Sequence, residues 1–194
     1  MRVIAGAYGG LRLKTLKGAA LRPTSDQLRE TLFNILGEGL EGAQFLDAYA
    51  GSGAVGIEAL SRGAQCVVFL EHHRPAVELI RQNLTALGVD SGFEILTCPV
   101  MTGIERLESQ SEKFDFVFLD PPYAEIREYH RVLRKFGRSE ILLPQSLVIA
   151  EHSRHCNLEE RYGSLALARR LRHGDSQLAF YRRGIAGGSA TFVS

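Results

Sequence analysis

The chain predicts an α/β protein with a mostly parallel sheet covered by helices on both faces. Three observations carry this. Apolar runs of strand length alternate with amphipathic stretches of helix length from residue 44 to residue 150. A Gly51-Ser52-Gly53 turn joins the first such run to the first such helix. The last two apolar runs, Leu165–Arg172 and Gln177–Tyr181, bracket Gly174-Asp175, the pattern of a closing antiparallel hairpin.

Taken in order, residues 1–17 predict a β-hairpin, with Val3-Ile4 and Leu11-Arg12-Leu13 flanking a Gly-rich loop. Such a piece is too small for a core of its own. Domain bounds follow as 1–20 for this extension, 21–183 for the main domain and 184–194 for a small, polar tail expected to be disordered. Thr24 and Gln27 form a capping-box pattern that opens a helix. Leu28, Leu32, Ile35 and Leu36 fall on one face of it, and Gly37 stops it. Arg22 and Arg29 stand off that apolar face, where they are either surface charges or holders of an anionic cofactor end or an RNA phosphate.

Residues 44–50 read as the first core strand. The helix after the glycine turn ends near Ser61-Arg62-Gly63, and Cys66–Glu71 is the second strand. Pro75 suits the first turn of a helix that runs to Leu87. Phe93–Thr97 is the third strand, Met101–Leu107 a short helix and Phe114–Leu119 the fourth strand. A basic helix follows at about 125–137, and Ser146–Ala150 is the fifth strand. His152 and His155, beyond that strand, read as solvated loop residues, as does His173; His72 and His73 read the same way, the alternative being that they edge a cofactor pocket.

The chain has 194 residues, 45% of them hydrophobic and 23% charged, enough for one cored domain. No apolar run is long enough to span a membrane, and Met1–Gly6 has no signal-peptide character. Cys66, Cys98 and Cys156 form no CxxC pair and no zinc pattern, so a reduced, cytoplasmic protein without a structural metal is expected. The net charge of +1 hides a segregation. Residues 1–37 carry six bases and two acids, 38–120 five bases and thirteen acids, and 161–183 six arginines against Asp175. Basic ends around an acidic middle point to a polyanion held by the periphery.

Two motifs carry chemistry. Asp47-x-x-x-Gly51-x-Gly53 lies where a strand hands over to a helix, and Glu71 ends the next strand, placed to accept ribose hydroxyls. A dinucleotide would use the same pattern. Asp47 favours S-adenosylmethionine instead, because a carboxylate there repels a pyrophosphate and can position an α-amino group. The second motif is Asp120-Pro121-Pro122-Tyr123. Two prolines end the fourth strand, which sets Asp120 at the carboxyl rim of the sheet. Asp120 and the Pro121 carbonyl can accept from an exocyclic amine, while Tyr123 can stack on its ring.

With these residues in view, the chain resembles the class I methyltransferases of the amino-methylating branch. More closely it resembles the RsmD family of bacterial 16S rRNA guanine-N2 methyltransferases. The resemblance rests on Met1–Gly6, Arg22–Leu36, Asp47–Gly53, Gly56–Ala64 and Asp120–Tyr123. It implies a Rossmann-like sheet of seven strands, mostly parallel with one antiparallel strand. It also implies methyl transfer from S-adenosylmethionine to one guanine amine of 16S rRNA, in an assembled or late-assembling 30S subunit. The enzyme would be a cytoplasmic monomer that needs neither metal nor membrane. Carried over by motif, Asp47, Gly51, Ser52, Gly53, Glu71 and Thr24 contact the cofactor. Asp120, Pro121, Pro122 and Tyr123 would hold the base. The basic residues Arg12, Lys14, Lys17 and Arg22, on the hairpin and before the first helix, are expected from their charge to contact RNA phosphate. The chain departs from the family at Thr97-Cys98-Pro99-Val100, where an acid often contacts the adenine amine. A DNA adenine or cytosine amino-methyltransferase would share the second motif, but no stretch is long enough for a target-recognition domain. A non-catalytic RNA-binding relative is the third alternative.

Overall fold

The computed structural model describes residues 1–15, 25–122 and 125–184. Lys17, Arg22, Thr24, Tyr123 and the tail from 185 lie outside the described residues. The chain forms two compact units, Met1–Ile104 and Glu105–Ser194.

The first unit begins with the hairpin. It is joined by the bridge Arg2↔Arg12, closed by Val3 N–H donating to Leu11 O at 3.0 Å and Gly10 N–H to Val3 O at 2.9 Å. Val3 and Leu13 are buried, which is how so short a piece is anchored. Helix α1 (Asp26–Leu36) is capped by Ser25, whose Oγ accepts from Leu28 N–H at 3.1 Å. The cap is therefore Ser25, one residue later than the Thr24 pattern predicts. Leu28, Leu32, Phe33 and Leu36 are buried as the apolar stripe requires. Strands β1 (Gln44–Asp47), β2 (Cys66–Leu70) and β3 (Phe93–Leu96) pair in parallel in the order β3-β2-β1. Helices α2 (Ala54–Ser61) and α3 (Arg74–Ala86) make the crossovers. A Cβ on Gly56 would lie 2.2 Å from the Phe69 ring, so a glycine there lets α2 sit down on β2. Strand β1 stops at Asp47, three residues short of the expected end, because the turn toward the glycines begins at once.

Helix α4 (Val100–Ser109) leads into the second unit. There β4 (Phe114–Leu119), α5 (Ile126–Phe136), β5 (Leu142–Ser153), β6 (Arg161–Tyr162), β7 (Leu165–His173) and β8 (Ser176–Arg183) follow. The strand order is β4-β5-β8-β7-β6. β4 and β5 are parallel, and β8 runs against both β5 and β7. The α/β class, the parallel strands and the antiparallel closing strand are as expected. The described residues hold eight strands where seven are expected, the extra one being the two-residue β6.

Strand β5 is much longer than Ser146–Ala150. Its first residues accommodate Pro144 through a register shift, Leu142 lying opposite Phe114 and Leu147 opposite Phe116. Its last residues, Glu151 to Ser153, pair with Leu178 to Ser176 of β8. His152 is thus a buried strand residue, 1% exposed, and not the solvated loop histidine expected. Burial holds its ring below the usual histidine range. Its Nδ1 lies 2.9 Å from Ser153 O, and a neutral ring donates there. Among the described residues no helix is long and apolar enough to cross a membrane.

Candidate active site

The first unit gathers Asp47, Gly51, Ser52, Gly53 and Glu71 at the carboxyl ends of β1 and β2. Gly51 takes φ +52° and Gly53 φ +77°, a backbone region that favours glycine. Their turn is fixed by Gly53 N–H donating to Ala50 O at 2.7 Å. A Cβ on Gly51 would meet nothing closer than 4.0 Å, so the main chain is open there to a ligand.

Glu71 orders the turn. Its Oε2 accepts from Gly51 N–H at 2.9 Å and its Oε1 from His73 N–H at 2.7 Å. A carboxylate offers about four lone-pair positions, so each oxygen keeps one for a ligand hydroxyl. Asp47 is different. It is 1% exposed and accepts one backbone N–H, from Gly56 at 3.0 Å. Burial, countered by that hydrogen bond and reinforced by the Glu71 charge, pushes its carboxyl up to about 7. A buried carboxylate so thinly supported is matched by a cation. The α-ammonium of a methionine fits it, and the Glu71 lone pairs fit a ribose, so these residues suit S-adenosylmethionine.

The second unit presents the Asp120 motif at the carboxyl end of β4. Pro121 is buried while Pro122 is exposed. Glu125 N–H donates to Pro122 O at 2.8 Å. The Tyr129 hydroxyl, on a side chain 1% exposed, lies 3.0 Å from Pro121 O and 2.9 Å from Glu151 O. Its single proton is shared between the two carbonyls, and it ties the motif to β5. A carbonyl has two lone pairs, so Pro121 O keeps one for an incoming amine. Among the described residues no His, Cys, Asp and Glu cluster could hold a metal ion.

The profile of the family described as Conserved hypothetical protein 95 matches residues 1–182. The chain belongs to this family, the RsmD family that the sequence resembles. Similar to it is the Bacillus subtilis protein named "Putative rRNA methyltransferase YlbH", 32% identical over 183 residues, 94% of this chain and 99% of that one. "Ribosomal RNA small subunit methyltransferase D" of Haemophilus influenzae is 40% identical over 124 residues, 63% of this chain and 64% of that one. A solved structure, "Putative methyltransferase yhhF from Escherichia coli", superposes with a TM-score of 0.82 at 27% identity, covering 95% of this chain and 98% of that one.

Within this family member, two residues expected to contact RNA are in view. Arg12 and Lys14 are exposed on the hairpin, with Lys14 Nζ 3.3 Å from Gln82 Oε1. Arg29 is not a ligand holder. It is 0% exposed, and its guanidinium donates to Arg2 O at 2.7 Å, Ala54 O at 3.3 Å and Asp26 Oδ1 at 2.8 Å.

Sequence reasoning missed the residues that seat the hairpin. Glu58, 0% exposed, accepts from Ile4 N–H at 2.7 Å and Ala5 N–H at 3.1 Å and pairs with Arg62 at 2.8 Å. Asn83 exchanges hydrogen bonds with the Lys14 backbone, Oδ1 accepting at 2.8 Å and Nδ2 donating at 3.2 Å, and Nδ2 also donates to Ser52 O at 3.0 Å. Hairpin and glycine turn thus share one amide. The signal was present: Asn83 lies on the stripe of Ala76, Leu79, Ile80 and Leu84, where an uncharged polar residue needs an internal partner.

Proposed function

We propose that this chain is an S-adenosylmethionine-dependent rRNA methyltransferase acting on the exocyclic N2 amine of one guanine of 16S rRNA. Its substrate is the assembled or late-assembling 30S subunit, and it works as a cytoplasmic monomer. The reading is supported chiefly by the Asp120-Pro121-Pro122 ending of β4, with the Pro121 carbonyl held by Tyr129. Family membership and the names of the relatives point the same way.

The cofactor, when bound, supplies a methyl group already activated by a sulfonium. The chain's own residues then have to align and polarise. Asp47 takes the ammonium end, Glu71 the ribose, and the open main chain at Gly51 allows close approach. Ser52 shares that turn through Asn83. Asp120 and the Pro121 carbonyl accept the two amine N–H groups, which localises the lone pair on the nitrogen. Asp120 need not be a strong base, because the amine becomes acidic only as its new bond to carbon forms. Positioning of this kind lowers a barrier by roughly 7–11 kcal/mol. Tyr123 stacks on the extruded base. Arg12, Lys14, Lys17 and Arg22 hold RNA phosphates, and Thr24 contributes to cofactor binding.

Methyl transfer from tritiated cofactor to unmethylated 30S subunits, naked 16S rRNA and duplex DNA tests the reading. Transfer to the 30S subunit, reduced roughly 100-fold or more in Asp120→Ala with cofactor affinity kept, is expected. Retained turnover in that variant, or transfer to duplex DNA alone, contradicts it.

A further inference from the structure

Strands β6, β7 and β8 carry six arginines, and pairing decides which of them share a face. Arg161 lies opposite Ala166, and Ala166 opposite Arg182. Directly paired residues point to one side of a sheet, so two arginines flank a single methyl group in one row. Arg169 lies opposite Phe180, two residues along β8 from Arg182, and so points to that same side. It does so only because the register shifts between Leu167 and Arg169. With regular pairing Ala168 would take that position and Arg169 would face the other way. A bulge that re-aims a side chain is a recognised device near functional surfaces.

The result is a triangle of exposed arginines. By strand spacing, Arg161 and Arg182 are about 10 Å apart at the backbone, and Arg169 is about 8 Å from Arg182. Asp175 is the one acid between 161 and 183, and it pairs with Arg154 at 3.4 Å. Several other basic residues of the unit are spent. Arg131 pairs with Glu128 at 2.7 Å, Arg134 with Glu159 at 2.6 Å and Lys135 with Glu108 at 2.7 Å. Arg170, on the opposite face, donates to Leu158 O at 2.8 Å. Among the described residues no ion pair answers Arg161 or Arg169. Charges and bulges near an edge strand also discourage sheet-to-sheet association, but either sign of charge serves that purpose, whereas here all three charges are positive.

We propose that Arg161, Arg169 and Arg182 form a docking surface for the phosphate backbone of the RNA substrate, remote from the base-binding turn. The inference rests on the rRNA reading above. Arg182 is level with Leu147 and Phe116, two strands across and four residues back from Asp120, roughly 16 Å away. Arg161, two strands further, is roughly 23 Å away. A free nucleotide cannot bridge that span, whereas a folded polynucleotide can.

The test compares Arg161→Gln/Arg169→Gln/Arg182→Gln with a control of equal charge loss among exposed arginines elsewhere in the unit, Arg127→Gln/Arg138→Gln/Arg172→Gln. Binding to unmethylated 30S subunits and to 16S rRNA is measured against salt. The first variant is expected to flatten the slope of log K against log salt by about 2, since each neutralised phosphate contributes about 0.7–0.9. It should raise KM for RNA about tenfold at unchanged kcat and unchanged S-adenosylhomocysteine affinity. The control trio should keep the wild-type slope, and lysine at the three positions should restore it. Equal losses in both trios, or an unchanged slope in the first, overturns this proposal alone. A wild-type protein that binds no RNA overturns it together with the rRNA reading.

Discussion

Asp47 and Glu58 are both buried acids of the first unit, 1% and 0% exposed, and the protein treats them in opposite ways. Glu58 is fully answered from within, by two hairpin N–H groups and the Arg62 guanidinium, itself 5.3 Å above the Phe33 ring. Asp47 has one backbone N–H and a neighbouring carboxylate, and its carboxyl rises to about 7. A buried charge that is fully partnered builds structure. One left short of partners costs stability until a ligand supplies the missing charge. The hairpin seat is the first kind of site and the proposed cofactor corner the second.

Glu58→Ala should cost about 3–5 kcal/mol, because it strands Arg62 and two N–H groups. Urea unfolding and faster proteolysis within residues 1–15 would show it; a loss below about 1 kcal/mol would remove the contrast. Asp47→Asn should move the other way. For an acid whose folded pKa lies above its unfolded value of 3.8, the native state holds a proton that the unfolded chain has lost. Stability from this group is thus present below about pH 4 and declines as pH rises to about 7. A neutral amide in its place avoids that loss, so the ligand-free variant should gain on the order of 2–4 kcal/mol at pH 8 while cofactor binding weakens. Destabilisation at pH 8 would contradict the assignment.

Asn83 sharpens the contrast because it touches both sites. Asn83→Ala should cost about 1–3 kcal/mol and also lower cofactor affinity several-fold through the Ser52 carbonyl. Thermal unfolding with calorimetry separates these effects. Ser25→Ala, a plain loss of a helix cap, should cost about 1 kcal/mol and leave cofactor affinity alone. A matching drop in affinity would mean that α1 shapes the site.

What was legible in the sequence was local. Apolar runs gave the strands, Gly51 and Gly53 the turn, and Pro121-Pro122 the end of β4, because each acts through its own backbone. What was not legible was long-range. Arg29 read as a surface charge or a holder of an anion, and it is neither, since the carbonyls that receive it belong to Arg2 and Ala54. His152 read as loop, since only its pairing with β8 makes it strand. Tyr129 gave no sign that its hydroxyl, eight residues on, would hold Pro121. Asp47 stood out by its place before the glycines, but its thin support emerged only from its burial.

The most direct measurement is calorimetry of S-adenosylhomocysteine binding near pH 7 in buffers of different ionisation enthalpy, for wild type and Asp47→Asn. If Asp47 is reserved for the ligand's ammonium, binding lowers its pKa and releases part of a proton in the wild type and none from this position in the variant. Affinity should then fall as pH drops below 7 in the wild type only. Identical proton release and identical pH profiles in the two proteins would contradict the account.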